Sequence, residues 1–290
     1  MNGSQRLGTV LLIAVAIGPA AAHAQATRRI VIDAGHGGSD PGGVGSGMQE
    51  KNIVLDVANR FKALLDADTR DTTGGGKWIA QRTRTRDVFV GLSARAAFAN
   101  AQGADRFMSI HSNAFGSSAA HGTETFAFAE GGNGAKLRNL VQAEMLAAWG
   151  LTNRGNKTAN FAVLRETAMP AVLHELAFIT NATDASHLRS ATERQKAARA
   201  HLFAIQRHFG LARHTPKAAL AGPDGEPTES SDVLDGEPLG DDPPEDLGEE
   251  PAADDLQQSG CAAGGGSGGL ALAGVGLAIA LSSRRRRRSR

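Results

Sequence analysis

Between residues 28 and 211 the chain alternates short β-branched apolar runs with longer segments of helical period, and this ordering narrows the possible folds more than any other feature. "RIVID", "KWIAQRT", "RFMSIHSN", "TETFAFA", "FAVLRE" and "AVLHELAF" read as strands. Residues 50–65, 91–101, 135–149 and 193–209 read as helices; in the first, Ile53, Val57, Phe61, Leu64 and Leu65 share one face. Strand and helix in alternation imply a single α/β domain, a mostly parallel twisted sheet with helices on both faces. About 180 residues suffice for one core of ordinary size.

The flanks have different compositions and predict different fates. Residues 1–24 combine early positive charge, the apolar run "LGTVLLIAVAIGPAAA" and the small-residue site Ala22-His23-Ala24, the pattern of a secretory signal peptide. The catalytic-size domain is then expected over residues 25–215. Residues 216–260 are expected to be a disordered acidic linker: from Gly222 to Gly260 there are fourteen Asp or Glu and no Lys or Arg, too little apolar surface to offset the entropy of ordering. Residues 261–290 begin with Cys261, the only cysteine, and continue through a Gly-rich hinge and a short apolar run to Arg284–Arg288 and Arg290. A spanning helix needs about 20 apolar residues, so this reads as a sorting tail or short membrane anchor, its arginines on the cytoplasmic side. With one cysteine, no internal disulfide is possible.

The formal charge of +1 hides an asymmetry, since residues 1–221 carry 25 basic against 16 acidic groups, net +9. Such a body suits an anionic partner. Nucleic acid is not expected, because no aromatic-basic pattern is present and the chain has no tyrosine to build a stacking platform. No signal for oligomerisation stands out, and a monomer is expected.

The first strand opens into "DAGHGGSDPGG", a glycine-rich loop with His36, Asp33 and Asp40 and no lysine, which suits a cation rather than a phosphate, or else is a solvated turn whose histidine has no role. His36, Glu50 opening the first helix, and His111 in "FMSIHSNA" lie where an α/β sheet collects its ligands, at strand ends. Two imidazoles and a carboxylate leave one position for water and make a catalytic zinc set; without a cysteine in the domain, a thiolate structural site is excluded. Glu175 sits in an apolar strand, where a charge is costly unless compensated. Strand alternation puts Leu173 and Glu175 on one face and His174 on the other, so His174 and Glu175 are not expected to serve one metal. Asp33 reads either as an acceptor for an imidazole N–H or as the cap of its own turn. Arg82, Arg84, Arg86 and Arg95 read as surface or bracing charges, with a lesser reading as holders of an anionic ligand.

Taken together, "VIDAGHGGSDPGG", "MQEKNIVLDVA", "TRTRDVFVGLSARAAFANAQGADRFMSIHSNA", "GTETF" and "NRGNKTANFAVLRETAMPAVLHELAFITN" resemble, block by block, the zinc-dependent N-acetylmuramoyl-L-alanine amidases of the amidase_3 type. The tail resembles the MYXO-CTERM class of sorting segments. The amidase resemblance implies that His36, Glu50 and His111 bind Zn2+, that Glu175 is the catalytic carboxylate, and that the substrate is peptidoglycan, cut between N-acetylmuramic acid and L-alanine. It also implies export to the periplasm, cell envelope or outer surface, with membrane contact through the tail. Gly35, Gly37 and Gly38 are then expected to let the backbone turn sharply and a glycan approach. His174 and Ala177 replace an aliphatic residue and a glycine common in that family. Some of its members carry a helix that plugs the metal site until a partner withdraws it; "FAFAEGGNGAK" leaves no room for one, so activity without an activator is expected. Two other readings share these residues: a cell-wall binding module without turnover, and a zinc peptidase acting within the stem peptide.

Overall fold

In the computed structural model, residues 26–217 are described. The signal peptide expected at 1–24, nearly all of the acidic linker, and the tail with Cys261 lie outside them. The elements run in the order β1 (Arg28–Ala34), β2 (Val44–Gly45), β3 (Met48–Gln49), α1 (Glu50–Arg70), β4 (Trp78–Arg82), α2 (Leu92–Ala101), β5 (Arg106–Asn113), β6 (Thr123–Ala127), α3 (Gly132–Trp149), β7 (Asn153–Thr158), α4 (Ala162–Arg165), β8 (Ala171–Phe178), α5 (Ala182–Arg189) and α6 (Ala191–His208). Six strands form one sheet in the order β4-β1-β5-β8-β6-β7, and β2 and β3 form a separate small hairpin. Every neighbour in the large sheet is parallel except β6 against β8.

The central strands β1, β5 and β8 split their side chains between two cores. Ile30, Ile32, Met108, Ile110, Val172 and Leu176 enter the larger one, closed by α1, α3 and α6. Val31, Phe107, Leu173 and Phe126 enter a smaller one, closed by residues of α2 and α4. Helices therefore cover both faces, unequally. The short α2 and α4 cover only part of their face, toward Val31, Phe107 and Leu173. Two residues further along the same strands, that face carries Asp33, Ser109 and Glu175 in place of apolar side chains, with His111 beyond Ser109.

One strand assignment is corrected: "FAVLRE" holds the one-turn helix α4, and the sixth strand is the polar segment β7. In α4 only Val163 and Leu164 are buried. Four apolar residues in a row do not distinguish a strand from a turn of helix. The segment before β8 also contributes no sheet pairing, while β7 lies at the sheet edge, where alternation of buried residues is not required.

Candidate metal centre

Glu50 is the first residue of α1, and its carboxylate is gripped from four sides. Oε1 accepts the Ser112 N–H at 2.9 Å and Oε2 the Gly43 N–H at 2.7 Å. The same Oε1 lies 3.1 Å from His36 Nε2 and 3.0 Å from His111 Nδ1. The Ser112 N–H is available because β5 and β8 lose register between His111 and Asn113; such an irregularity beside a site re-aims backbone and side chains. The donor atoms of His36, Glu50 and His111 all fall within 4.8 Å of one another, the one such group among the described residues. The imidazoles meet edge to face, centroids 4.9 Å apart.

His36 is held in one orientation from behind. Its Nδ1 is 2.7 Å from Asp40 Oδ2, so Nδ1–H donates to the carboxylate and Nε2 is the nitrogen turned to Glu50. Burial by itself would lower the His36 pKa. Hydrogen bonds and charge from Glu50, then Asp40, overcome it and raise the value to about 9. Burial would likewise raise the Glu50 carboxyl, but the hydrogen bonds and charges of His111 and His36 hold it well below the usual carboxylate range. A cluster that attracts a proton this strongly offers the same lone pairs to a divalent cation, which must displace that proton to bind. Two imidazole nitrogens and a carboxylate oxygen, with no thiol, match the donor set of an open zinc site.

The loop after β1 is strained and clamped. His36 takes φ +58, a left-handed conformation costing a non-glycine residue roughly 1–2 kcal/mol. Arg84 and Arg95 hold it there: Arg84 donates to the carbonyls of Ala34, Gly35 and Lys51, and Arg95 to those of Ala34, His36 and Val90. Both guanidiniums are buried, so these two arginines brace the fold.

Asp33 belongs to this brace and touches neither histidine. Its carboxylate accepts from Arg95 at 2.8 Å, Thr83 at 2.6 Å and Ser109 at 2.6 Å. Burial opposes its ionisation, yet Arg95, Ser109 and Thr83 leave its pKa below the ordinary value. The partner of the imidazole is Asp40, and the i, i+4 spacing of the pair was the only sequence signal for it.

The glycines serve the site's own packing. A Cβ on Gly35 would stand 2.3 Å from the His111 ring, and one on Gly42 2.6 Å from both Glu50 Oε2 and His36 Cδ2. Gly37 and Gly38 do provide a sharp turn, but the space beside them is filled by the backbone of Val88 and Phe89 rather than left open for a ligand.

Glu175 is buried in β8, in register with His111 of β5 on one side and Glu124 of β6 on the other. Residues directly opposite across strands project from the same face, so His111, Glu175 and Glu124 form a row. His174 projects into the larger core, where Nδ1 lies 3.0 Å from His201 Nε2 of α6 and Nε2 lies 2.9 Å from Thr123 Oγ1.

The sequence profile of the N-acetylmuramoyl-L-alanine amidase family, Amidase_3, matches residues 30–207. The sporulation-specific N-acetylmuramoyl-L-alanine amidase of Bacillus subtilis (strain 168) is 38% identical over 186 residues, 64% of this chain and 69% of its own. Among solved structures, the catalytic domain of the amidase CwlV from Bacillus (Paenibacillus) polymyxa var. colistinus superposes with a TM-score of 0.58 at 34% identity, covering 63% of this chain and 98% of that one. The amidase AmiC2 of Nostoc punctiforme gives 0.58 at 30% identity, covering 64% and 99%.

Proposed function

The chain belongs to the N-acetylmuramoyl-L-alanine amidase family, and on that premise we propose that it cleaves the muramoyl–L-alanine amide of peptidoglycan with a zinc ion held by His36, Glu50 and His111 and with Glu175 as the catalytic carboxylate. Cell-wall amidase activity follows from the family and from relatives that bear that name. The observation that carries the metal is the convergence of two imidazole nitrogens on one buried carboxylate oxygen, at 3.0 and 3.1 Å.

The chemistry such an ion supplies when bound is Lewis acidity, which makes water nucleophilic near neutral pH and draws electrons from a carbonyl. His36, Glu50 and His111 would hold it, and Asp40 keeps the His36 proton on Nδ1, away from the ion. The Glu175 carboxylate takes a proton from the attacking water and returns it to the nitrogen of the departing L-alanine, base first and acid second. Its position in register with His111 puts it on the face that carries the metal ligand. The walls of the loop are fixed by Arg84 and Arg95, so the ligands need little rearrangement before the reaction.

For the whole chain we propose export by residues 1–24, a catalytic domain over 25–215, an acidic spacer over 216–260 and an envelope-sorting tail over 261–290, acting as a monomer in the cell envelope. Among the described residues no helix is long and apolar enough to cross a membrane. Only residues 128–131 join β6 to α3, which supports activity without an activator protein.

Product analysis tests the reaction. Incubated alone with murein, the protein is expected to release peptides with a free L-alanine N-terminus and to leave peptide-free glycan, and to stop when a chelator is added. Cleavage inside the stem, or activity that survives thorough chelation, contradicts the proposal.

A further inference from the structure

Beyond Glu175, the row on the open face ends where two cations meet on one buried carboxylate oxygen. Glu124 is 1% exposed. Its Oε1 accepts from Asn113 Nδ2 at 2.7 Å, while Oε2 takes both Arg154 Nε, at 3.0 Å, and the Lys157 ammonium. Both cations come from β7, the edge strand. Glu124 and its strand neighbour Glu175 are the two carboxylates that these two cations face.

The pair is both held and reachable. The Arg154 guanidinium lies 4.6 Å over the Phe178 ring, which fixes its plane. Its side chain is 21% exposed and that of Lys157 33%, so solvent, and therefore a ligand, reaches both. Asn113 holds Glu124 from its other oxygen, through Nδ2.

Substrate chemistry decides which part of the ligand comes here, and the inference rests on the amidase reading. In a muramoyl peptide the lactyl carboxyl is consumed in the scissile amide, so an N-acetylated saccharide carries no charge on that side. The free carboxylates belong to the peptide. Glu124 is the immediate strand neighbour of Glu175, about 4.8 Å away across the sheet, and an extended peptide advances about 3.4 Å per residue. A carboxylate one or two residues past L-alanine therefore reaches the cations when the scissile amide lies over Glu175 and His111.

We propose that Arg154 and Lys157, oriented by Glu124, bind a carboxylate of the stem peptide near the cut, and thereby set the direction in which the substrate crosses the site. They are positioning residues. The peptide runs toward β6 and β7, and the sugar toward β1.

The test compares N-acetylmuramoyl-L-alanyl-glutamate with its carboxamide on the full chain, by turnover and, separately, by calorimetric binding. The wild type should favour the acid about tenfold in kcat/KM, through KM, the size of one partly exposed charge-assisted contact. Lys157→Gln should erase the preference and Lys157→Arg should keep it. A purely structural lysine would instead lower both substrates alike. Equal handling of acid and amide by the wild type, which requires no variant to fold, overturns the proposal, as does an equal loss on both substrates in Lys157→Gln. If the wild type cleaves neither compound, binding decides the subsite: tighter binding of the acid upholds it, equal binding overturns it; the amidase reading itself falls only if murein is left intact as well.

Discussion

Asp40 shows how much of the proposed metal site rests on a side chain outside the ligand set. Among the described residues its carboxylate is the group on His36 Nδ1, and it determines which ring nitrogen is left to ligate. Asp40→Asn presents an amide whose N–H can face the imidazole and favour the wrong tautomer. The expected result is zinc affinity weaker by about 10–100-fold, the usual cost of losing such a partner, with thermal stability of the metal-free protein nearly unchanged; competition with a chromogenic chelator measures it. The sequence displayed this pairing only as an i, i+4 spacing in a loop, where Asp33 was an equally good candidate. What separates the two is that Asp33 lies within β1 and faces Ser109 and the guanidinium of Arg95 on α2, contacts between segments 62 or more residues apart that no local pattern encodes. The two cations at Glu124 were hidden for the same reason, since β6 and β7 must pair before residues 30 and 33 positions away reach it.

At the scale of elements, β8 and α6 are joined by two buried histidines. His201 Nδ1 donates to the Ala197 carbonyl at 2.8 Å, and its Nε2 accepts from His174 Nδ1. Burial is the main cause that lowers both: His201 is held at about 4, with Ala197 opposing slightly, and His174 falls well below the ordinary histidine value, with His201 adding to the effect. Unfolded, each titrates near 6.5. Above that pH neither state carries the proton and stability is unaffected. As pH falls from 6.5 to 4 the unfolded chain binds protons that the folded one refuses, so stability declines, by on the order of 3 kcal/mol from His201 alone. Denaturant titrations at pH 7.5 and 4.5 should show this loss, and a His174→Val/His201→Leu variant should flatten it. An unchanged slope in the variant would place the acid sensitivity elsewhere. Elements with a buried face were legible: the five apolar positions that placed α1 are all buried. Edge strand β7, short α4 and the eight-residue α5 were not, because each buries too few residues to impose a period.

As a whole, the described domain is an α/β sheet whose larger core supplies stability and whose other face is only partly covered by α2 and α4. The alternation of strand and helix made that architecture readable, the strand ends pointed to His36, Glu50 and His111, and Glu175 stood out as a charge inside an apolar strand whose role the family resemblance supplied. The reading depends on those four side chains acting as one unit, with three that hold zinc and one that moves the proton. Metal content and turnover measured together on the full-length protein and its Glu175→Gln variant test this most directly. Both proteins should carry one zinc per chain, while Glu175→Gln loses turnover by about 10²–10⁴-fold, the range for a general acid–base group. A variant that keeps its zinc and cleaves at the wild-type rate, or a wild type fully active without metal, would contradict the account.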